Sequence, residues 1–189
     1  MYLTQALVFL ATGFEEIETV SIVDILRRAD VDVTIAGLTP GVIEGVHAIK
    51  IVPDKNINDV KVEDFDIIVV PGGNPGYMNL RKDQRVIDMI KKAFYSGKLV
   101  AAICAAPAVL SDAGILKGKA CTIYPGMENE LEKGGGKSKQ ELIVVDGNVI
   151  TSRGPATAIP FALELTKRLV GKQVAEVVSK KTMANVLKW

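Results

Sequence analysis

Residues 98–110 read KLVAAICAAPAVL, with Cys104 at their centre. Leu99 to Ile103 is apolar enough for a buried strand, and Ala105 to Leu110 is compact and alanine-rich, which suits a helix. A cysteine where a strand hands over to a helix has two explanations. A thiol at the first turn of a helix sees the positive end of the helix dipole and free N–H groups, which favour the thiolate. A tight strand-to-helix turn also lifts the side chain out of the core, as in a nucleophile elbow. Alternatively, free cysteine is a common small core hydrophobe. Cys121, inside ACTIY with no glycine turn or helix start beside it, fits that second description and is taken as structural.

Working outward, strands alternate with helices. ALVFLA (6–11) is a buried strand and EEIETVSIVDILRRA (15–29) has helical spacing. VDVTIAGL (31–38) is a second strand, and residues 47–52 make an accessory strand or hairpin. FDIIVVPGGN (65–74) runs into a glycine turn, and residues 83–95 form a helix. After the Cys104 strand and its helix come a short strand in KGKACTIYP (117–125) and a flexible loop at the glycines 134–136. ELIVVDGNVITS (141–152) is a hairpin about Asp146-Gly147, followed by helices over 155–169 and from Gly171 onward. Continuous Val/Ile strands in a βαβ rhythm predict a mostly parallel sheet covered on both faces, over one domain, 1–189.

Composition excludes several function classes. Of 189 residues, 48% are hydrophobic, and 23 lysines plus arginines nearly cancel 22 aspartates plus glutamates. That balance gives no electrostatic reason to expect nucleic acid or an anionic membrane surface. The N-terminal apolar run is short and lacks a charged flank, so it is expected to be a first strand rather than a signal peptide. Two cysteines without a signal suggest a reducing compartment and no disulfide framework, hence a cytoplasmic protein.

In parallel α/β folds, function gathers at the carboxyl ends of the strands. GFEEIE (13–18), PGGN (71–74) and Cys104 all fall there. On a helical wheel Glu18 lies between Ile22 and Ile25, and Glu15 between Ile22 and Leu26, so both project into the apolar sector; Glu16 lies elsewhere, nearer Arg27. Glu15 is explained by the preference of acids for a helix N-terminus. Glu18 is not, because a carboxyl in apolar surroundings costs free energy unless protonated or hydrogen-bonded. A protonated Glu18 would donate a hydrogen bond to a thiolate and later shuttle the proton. Gly72 and Gly73 permit backbone that turns N–H groups towards a cavity, where those of Gly73 and Ala105 would make a pocket for a developing oxyanion; a plain tight turn is the alternative. No phosphate-binding fingerprint accompanies the glycines, which argues against a nucleotide. A second apolar edge of the same helix, Ile17 and Val20 beside Asp24 and Arg28, suggests a homodimer, although a covering loop would explain it as well.

GFEEIE, VPGGN, AAICAAP and SRGPATA together resemble the ThiJ/PfpI superfamily, in its deglycase and glyoxalase III-like branch, across essentially the whole chain. The resemblance implies a flavodoxin-like three-layer α/β sandwich, usually dimeric, with the cysteine at a strained elbow. It implies Cys104 as nucleophile, Glu18 as its protonated partner, and the N–H groups of Gly73 and Ala105 as oxyanion donors. Glu15 and Arg28 match positions lining the pocket or dimer seam, and Pro155 a residue facing the cysteine. Two departures stand out. Tyr124 occupies the segment where the branch carries a histidine, and His47, the sole histidine, lies where it has an arginine. No Cys–His triad is therefore expected. Ala105 replaces the histidine that follows the cysteine in the protease-like branch, which argues against peptidase activity. The implied substrates are dicarbonyls such as methylglyoxal or glycated adducts, handled without cofactor or metal. The competing expectation is an oxidative-stress sensor or redox-regulated chaperone using the same cysteine.

Overall fold

A computed structural model describes residues 3–187. In chain order it holds β1 (Gln5–Leu10), α1 (Glu16–Arg28), β2 (Asp32–Gly37), β3 (Ile43–Glu44), β4 (Lys50–Ile51), β5 (Lys55–Asn56) and β6 (Ile67–Val70). There follow α2 (Gly76–Lys82), α3 (Gln84–Tyr95), β7 (Leu99–Ile103), α4 (Pro107–Asp112), β8 (Ala120–Cys121), α5 (Glu128–Lys133) and β9 (Lys137–Ser138). β10 (Ile143–Asp146), β11 (Val149–Ser152), a 3-10 turn over Pro155–Thr157, α6 (Ala158–Val170) and α7 (Lys172–Lys181) complete the fold. Seven strands form one sheet in the order β10-β11-β7-β6-β1-β2-β5, parallel except for the β10–β11 hairpin. Among the described residues no helix is long and apolar enough to cross a membrane.

The apolar strand runs follow from burial on both faces. Leu7, Phe9, Ile68, Val70, Val100 and Ala102 enter one core, under α2, α3 and α4. Ala6, Val8, Ile67, Val69, Ala101 and Ile103 enter the other, under α1 and α6. This is the flavodoxin-like sandwich. The chain leaves β1 for the α1 face and β6 for the α2–α4 face, which makes the carboxyl ends of these neighbours the topological switch point of the sheet, where parallel α/β folds generally place their sites.

Local chemistry sets the element ends. Glu15 caps α1, its carboxylate accepting the Glu18 N–H at 2.7 Å, and Arg27 and Arg28 close the helix where its dipole is negative. The Asp83 side chain caps α3 by accepting from Arg85 N–H at 3.0 Å.

Several elements differ from the sequence expectations. The strand expected over 117–125 is only Ala120–Cys121 and pairs with β9 outside the main sheet. Side chains of the β10–β11 hairpin explain this: Asp146 accepts the Ala120 N–H at 2.8 Å and Thr151 Oγ1 the Thr122 N–H at 2.9 Å, in place of a ladder. Helices α2 and α5 were not anticipated, and the expected 155–169 helix begins at Ala158 after its 3-10 turn. The glycines at 134–136 are packed rather than free: a Cβ on Gly134 would meet Ser111 Oγ, and one on Gly136 would lie 2.8 Å from Cys121 Sγ.

The loops after β1 and β6 are clasped together. Glu15 N–H donates to Gly72 C=O at 3.1 Å and Gly76 N–H to Gly13 C=O at 2.9 Å. Gly73 has φ +93°, and a Cβ there would meet Glu15 N, Gly13 O and, at 2.6 Å, the Phe14 carbonyl carbon. Gly73→Ala is therefore expected to lose about 1–2 kcal/mol for its left-handed backbone and at least about 1 kcal/mol more for the collision. Gly97→Ala, with φ +75° and nothing within 4 Å of the added Cβ, isolates the first cost. Urea unfolding of both variants measures the difference; equal losses would contradict the clasp.

Candidate active site

Three strand ends supply the site. Cys104 follows β7 in a left-handed conformation, φ +64°, which costs an L-residue about 1–2 kcal/mol and is sustained by its surroundings. Its N–H donates to Ser152 C=O at 3.0 Å, and its C=O accepts the Tyr124 N–H at 2.9 Å. Neighbouring chain thus holds both ends of the elbow, and the side chain is only 8% exposed. Cys104 does not lie in the first turn of a helix. α4 begins at Pro107 and is six residues long, so the dipole available to the sulfur is smaller than the sequence suggested.

Glu18 is entirely buried. Its Oε2 accepts the Gly72 N–H at 2.8 Å, while Oε1 has no hydrogen-bond partner. Gly72 has no room for a side chain, since a Cβ there would lie 2.7 Å from both Cys104 Cβ and Glu18 Oε2. Gly72 thus lies between the Cys104 and Glu18 side chains, in contact with both. Burial raises the Glu18 carboxyl to about 7, with the charge of Glu15 adding to the rise and the bonds to Cys104 and Gly72 opposing it. Burial also pushes the Cys104 thiol up to about 12, and the Glu18 charge and hydrogen bond push the same way. The N–H groups of Ala105 and Gly73 approach the sulfur and oppose the rise without overcoming it.

Burial first, and then the charge of the neighbouring carboxyl, therefore work against the depressed thiol that a helix end alone would give. The two acids titrate as a unit, each opposing the ionisation of the other.

The remaining candidates divide. Glu15 lies beside Glu18 as the α1 cap, buried, its N–H on Gly72. Tyr124 adjoins Cys104 through the main chain; its ring lies over Gly154, and the residue is 47% exposed. Half-buried Pro155 follows Gly154 in the 3-10 turn that packs against α1. Arg28 is not brought to the thiol within this chain. It sits ten residues beyond Glu18, about 15 Å along the helix, in an exposed ion pair with Asp24 at 2.6 Å. Ile17 and Val20 are exposed beside that pair, as the second apolar edge required. Cys121 is fully buried against Gly136.

Sequence reasoning missed two residues. Gly72, read only as part of a permissive turn, holds the Glu18 carboxylate. Glu16, assigned to a polar sector near Arg27, is buried under the β3–β4 turn and bonded to His47. The wheel could not show a hairpin folding over that side of α1. The consecutive acids in GFEEIE were the available signal.

The sequence model of the DJ-1/PfpI family matches residues 4–168. Protein dj-1beta of Drosophila melanogaster is 41% identical over 176 residues, covering 93% of this chain and 94% of the relative. Its crystal structure aligns with a TM-score of 0.91 at 39% identity, over 96% of this chain and 98% of that one. Oxidized DJ-1 of Toxoplasma gondii aligns with a TM-score of 0.90 at 35% identity, over 95% and 98%. A Caenorhabditis elegans relative, glutathione-independent glyoxalase DJR-1.2, is 36% identical over 159 residues, 84% of either chain. With a family match across most of its length and relatives this similar over nearly all of it, the chain belongs to the DJ-1/PfpI family.

Proposed function

We propose that this protein is a cysteine-dependent, cofactor-independent enzyme of the glyoxalase III or deglycase type, acting on methylglyoxal and related dicarbonyls or glycated adducts. The observation that carries the proposal is the Cys104–Glu18 dyad. A nucleophilic sulfur at a strained elbow stands against a buried carboxyl whose affinity for protons is matched to neutral pH. The glyoxalase named among the relatives supports the same class of reaction.

In this mechanism Glu18, ionised, takes the Cys104 proton as sulfur attacks the aldehyde carbon. A C–S bond forms, the carbonyl π electrons move to oxygen, and the N–H groups of Gly73 and Ala105 steady that charge until it is protonated. Glu18, now neutral, gives up its proton to oxygen and then removes the proton on the thiohemiacetal carbon. The electrons form an enediol, and the proton returns at the adjacent carbon to leave a thioester. Water cleaves the C–S bond, releasing lactate and restoring the thiol. Dicarbonyl plus water gives hydroxy acid, with no external oxidant or reductant. Tyr124 and Pro155, beside the elbow, bound the space for substrate, and Glu15 sets the charge beside Glu18. The apolar edge of Ile17 and Val20 makes a homodimer, with Arg28 at its seam, part of the same proposal.

Cys104→Ser and Glu18→Gln are each expected to lower methylglyoxal consumption by at least about 100-fold; turnover of Cys104→Ser equal to that of the unmodified protein would contradict the mechanism. Because the carboxyl must be ionised to accept the thiol proton, log kcat/KM should rise with unit slope up to about pH 7 and then level. A limb appearing only near the free-thiol value of roughly 8.5 would remove Glu18 from the reaction.

Stability has the opposite sign. A carboxyl raised in the fold adds nothing below its unfolded value and weakens the fold as pH climbs through about 7. Glu18→Gln should therefore stabilise the protein at pH 8 by up to about 3 kcal/mol, and hardly at all at pH 4. Urea titrations at the two pH values measure it, and an equal gain at both would contradict the shift.

A second reading, a peroxide sensor, draws on the same N–H groups, which would donate hydrogen bonds to the oxygens of a Cys104 sulfinate. Mild peroxide followed by intact-mass measurement discriminates. Gain of two oxygens at Cys104 alongside negligible dicarbonyl turnover favours the sensor, and fast turnover with a slow mass change favours the enzyme.

A further inference from the structure

Glu16 is 4% exposed yet makes no lysine or arginine ion pair among the described residues. Both its carboxylate oxygens are occupied by one residue: Oε1 accepts the His47 main-chain N–H at 2.6 Å, and Oε2 lies 3.0 Å from His47 Nδ1. A Cβ on Gly45 would collide with Glu16 Oε1 and lie 2.6 Å from its carboxyl carbon, so the β3–β4 turn rests directly on this side chain. Two further bonds fasten the same turn to the loop before α1, Gly13 N–H to Glu44 C=O at 2.8 Å and Val46 N–H to Phe14 C=O at 2.9 Å. The fastened residues, 13–16, are those that bond Gly72 and Gly76 and cap the turn of α1 carrying Glu18. A continuous set of contacts therefore runs from His47 to the carboxyl beside Cys104.

We propose that Glu16 and His47 are positioning residues, a two-point latch that holds the β3–β4 turn on the mouth of α1 and so fixes Glu18 against Cys104. The proposal rests on the dyad chemistry above but concerns residues that touch neither reacting atom. Burial works against the Glu16 charge, and the side-chain and main-chain bonds from His47 outweigh it and hold the carboxyl below its ordinary range. The charged groups facing the ring from α1 are Glu16 and Glu15, whose carboxylate oxygens lie within 4.8 Å of a ring nitrogen. Its own hairpin carries Glu44 and Lys50, paired with each other at 3.5 Å.

The test is the pH profile of Cys104 alkylation by iodoacetamide, followed by peptide mass so that Cys121 is not counted, with methylglyoxal kcat and KM in the same samples. Glu16→Ala should lower kcat about tenfold with KM little changed, and should let the thiol, no longer held up by a fixed Glu18, react at lower pH. His47→Ala, which removes only the side-chain contact, should move both readouts in the same direction by about threefold. His47→Gln keeps a side-chain N–H donor and should restore them towards the unmodified values. Should Glu16→Ala fail to fold, the two His47 variants still decide the matter. A His47→Ala protein whose alkylation profile and kcat are superimposable on those of the unmodified one overturns the latch. Absence of methylglyoxal turnover with the alkylation pattern intact overturns the dicarbonyl reading and leaves the latch standing.

Discussion

The Glu18 carboxyl, shut away from water with one oxygen on the Gly72 N–H and the Cys104 thiol beside it, is the constraint around which the rest is arranged. Burying an acid without a cation is unfavourable, and a second acid in contact with it raises the cost. The fold meets that cost with rigid supports. The carboxyl ends of β1, β6 and β7 converge at the switch point of the sheet, and glycines at 72, 73 and 76 let the loops come within bonding distance. The elbow is held at positive φ by hydrogen bonds on both sides of Cys104. Local strain and buried charge are concentrated in one place, and two large apolar cores flank it.

The dyad also determines how the sulfur becomes reactive. A cysteine pushed up to about 12 is not a resting thiolate. In the proposed mechanism its activation occurs within the attack itself, through a base whose own affinity for protons lies near neutrality. Glu18, raised to about 7, suits that role without a histidine in the segment of Tyr124. The same confinement explains why the neighbours matter. Glu15 contributes its charge, and the N–H groups of Gly73 and Ala105 favour negative charge on sulfur or on an oxygen attached to it.

The layered sheet was legible because strands buried on both faces leave uninterrupted apolar runs, as in residues 6–10 and 99–103. The three loops at the strand ends were legible because glycine, acid and cysteine each followed such a run. Helix α2 was hidden because its glycine- and proline-rich start reads as a turn, although the Gly76 and Tyr77 N–H groups find main-chain partners. The sign of the thiol shift was hidden for a deeper reason. A helix end can be read locally, whereas desolvation depends on every element packed around the sulfur. Glu16 illustrates the same limit, since the hairpin that buries it arrives some thirty residues later in the chain. Arg28 was placed with the site by likeness alone, and helical rise carries it to the far end of α1.

The most direct test is the ultraviolet absorbance of the Cys104 thiolate as a function of pH, in unmodified protein and in Glu18→Gln. If the two acids share one negative charge, neutralising the carboxyl removes part of what holds the thiol up. The sulfur should then ionise at distinctly lower pH in the variant. Identical titrations in the two proteins would mean that carboxyl and thiol do not sense one another, and the account would fall.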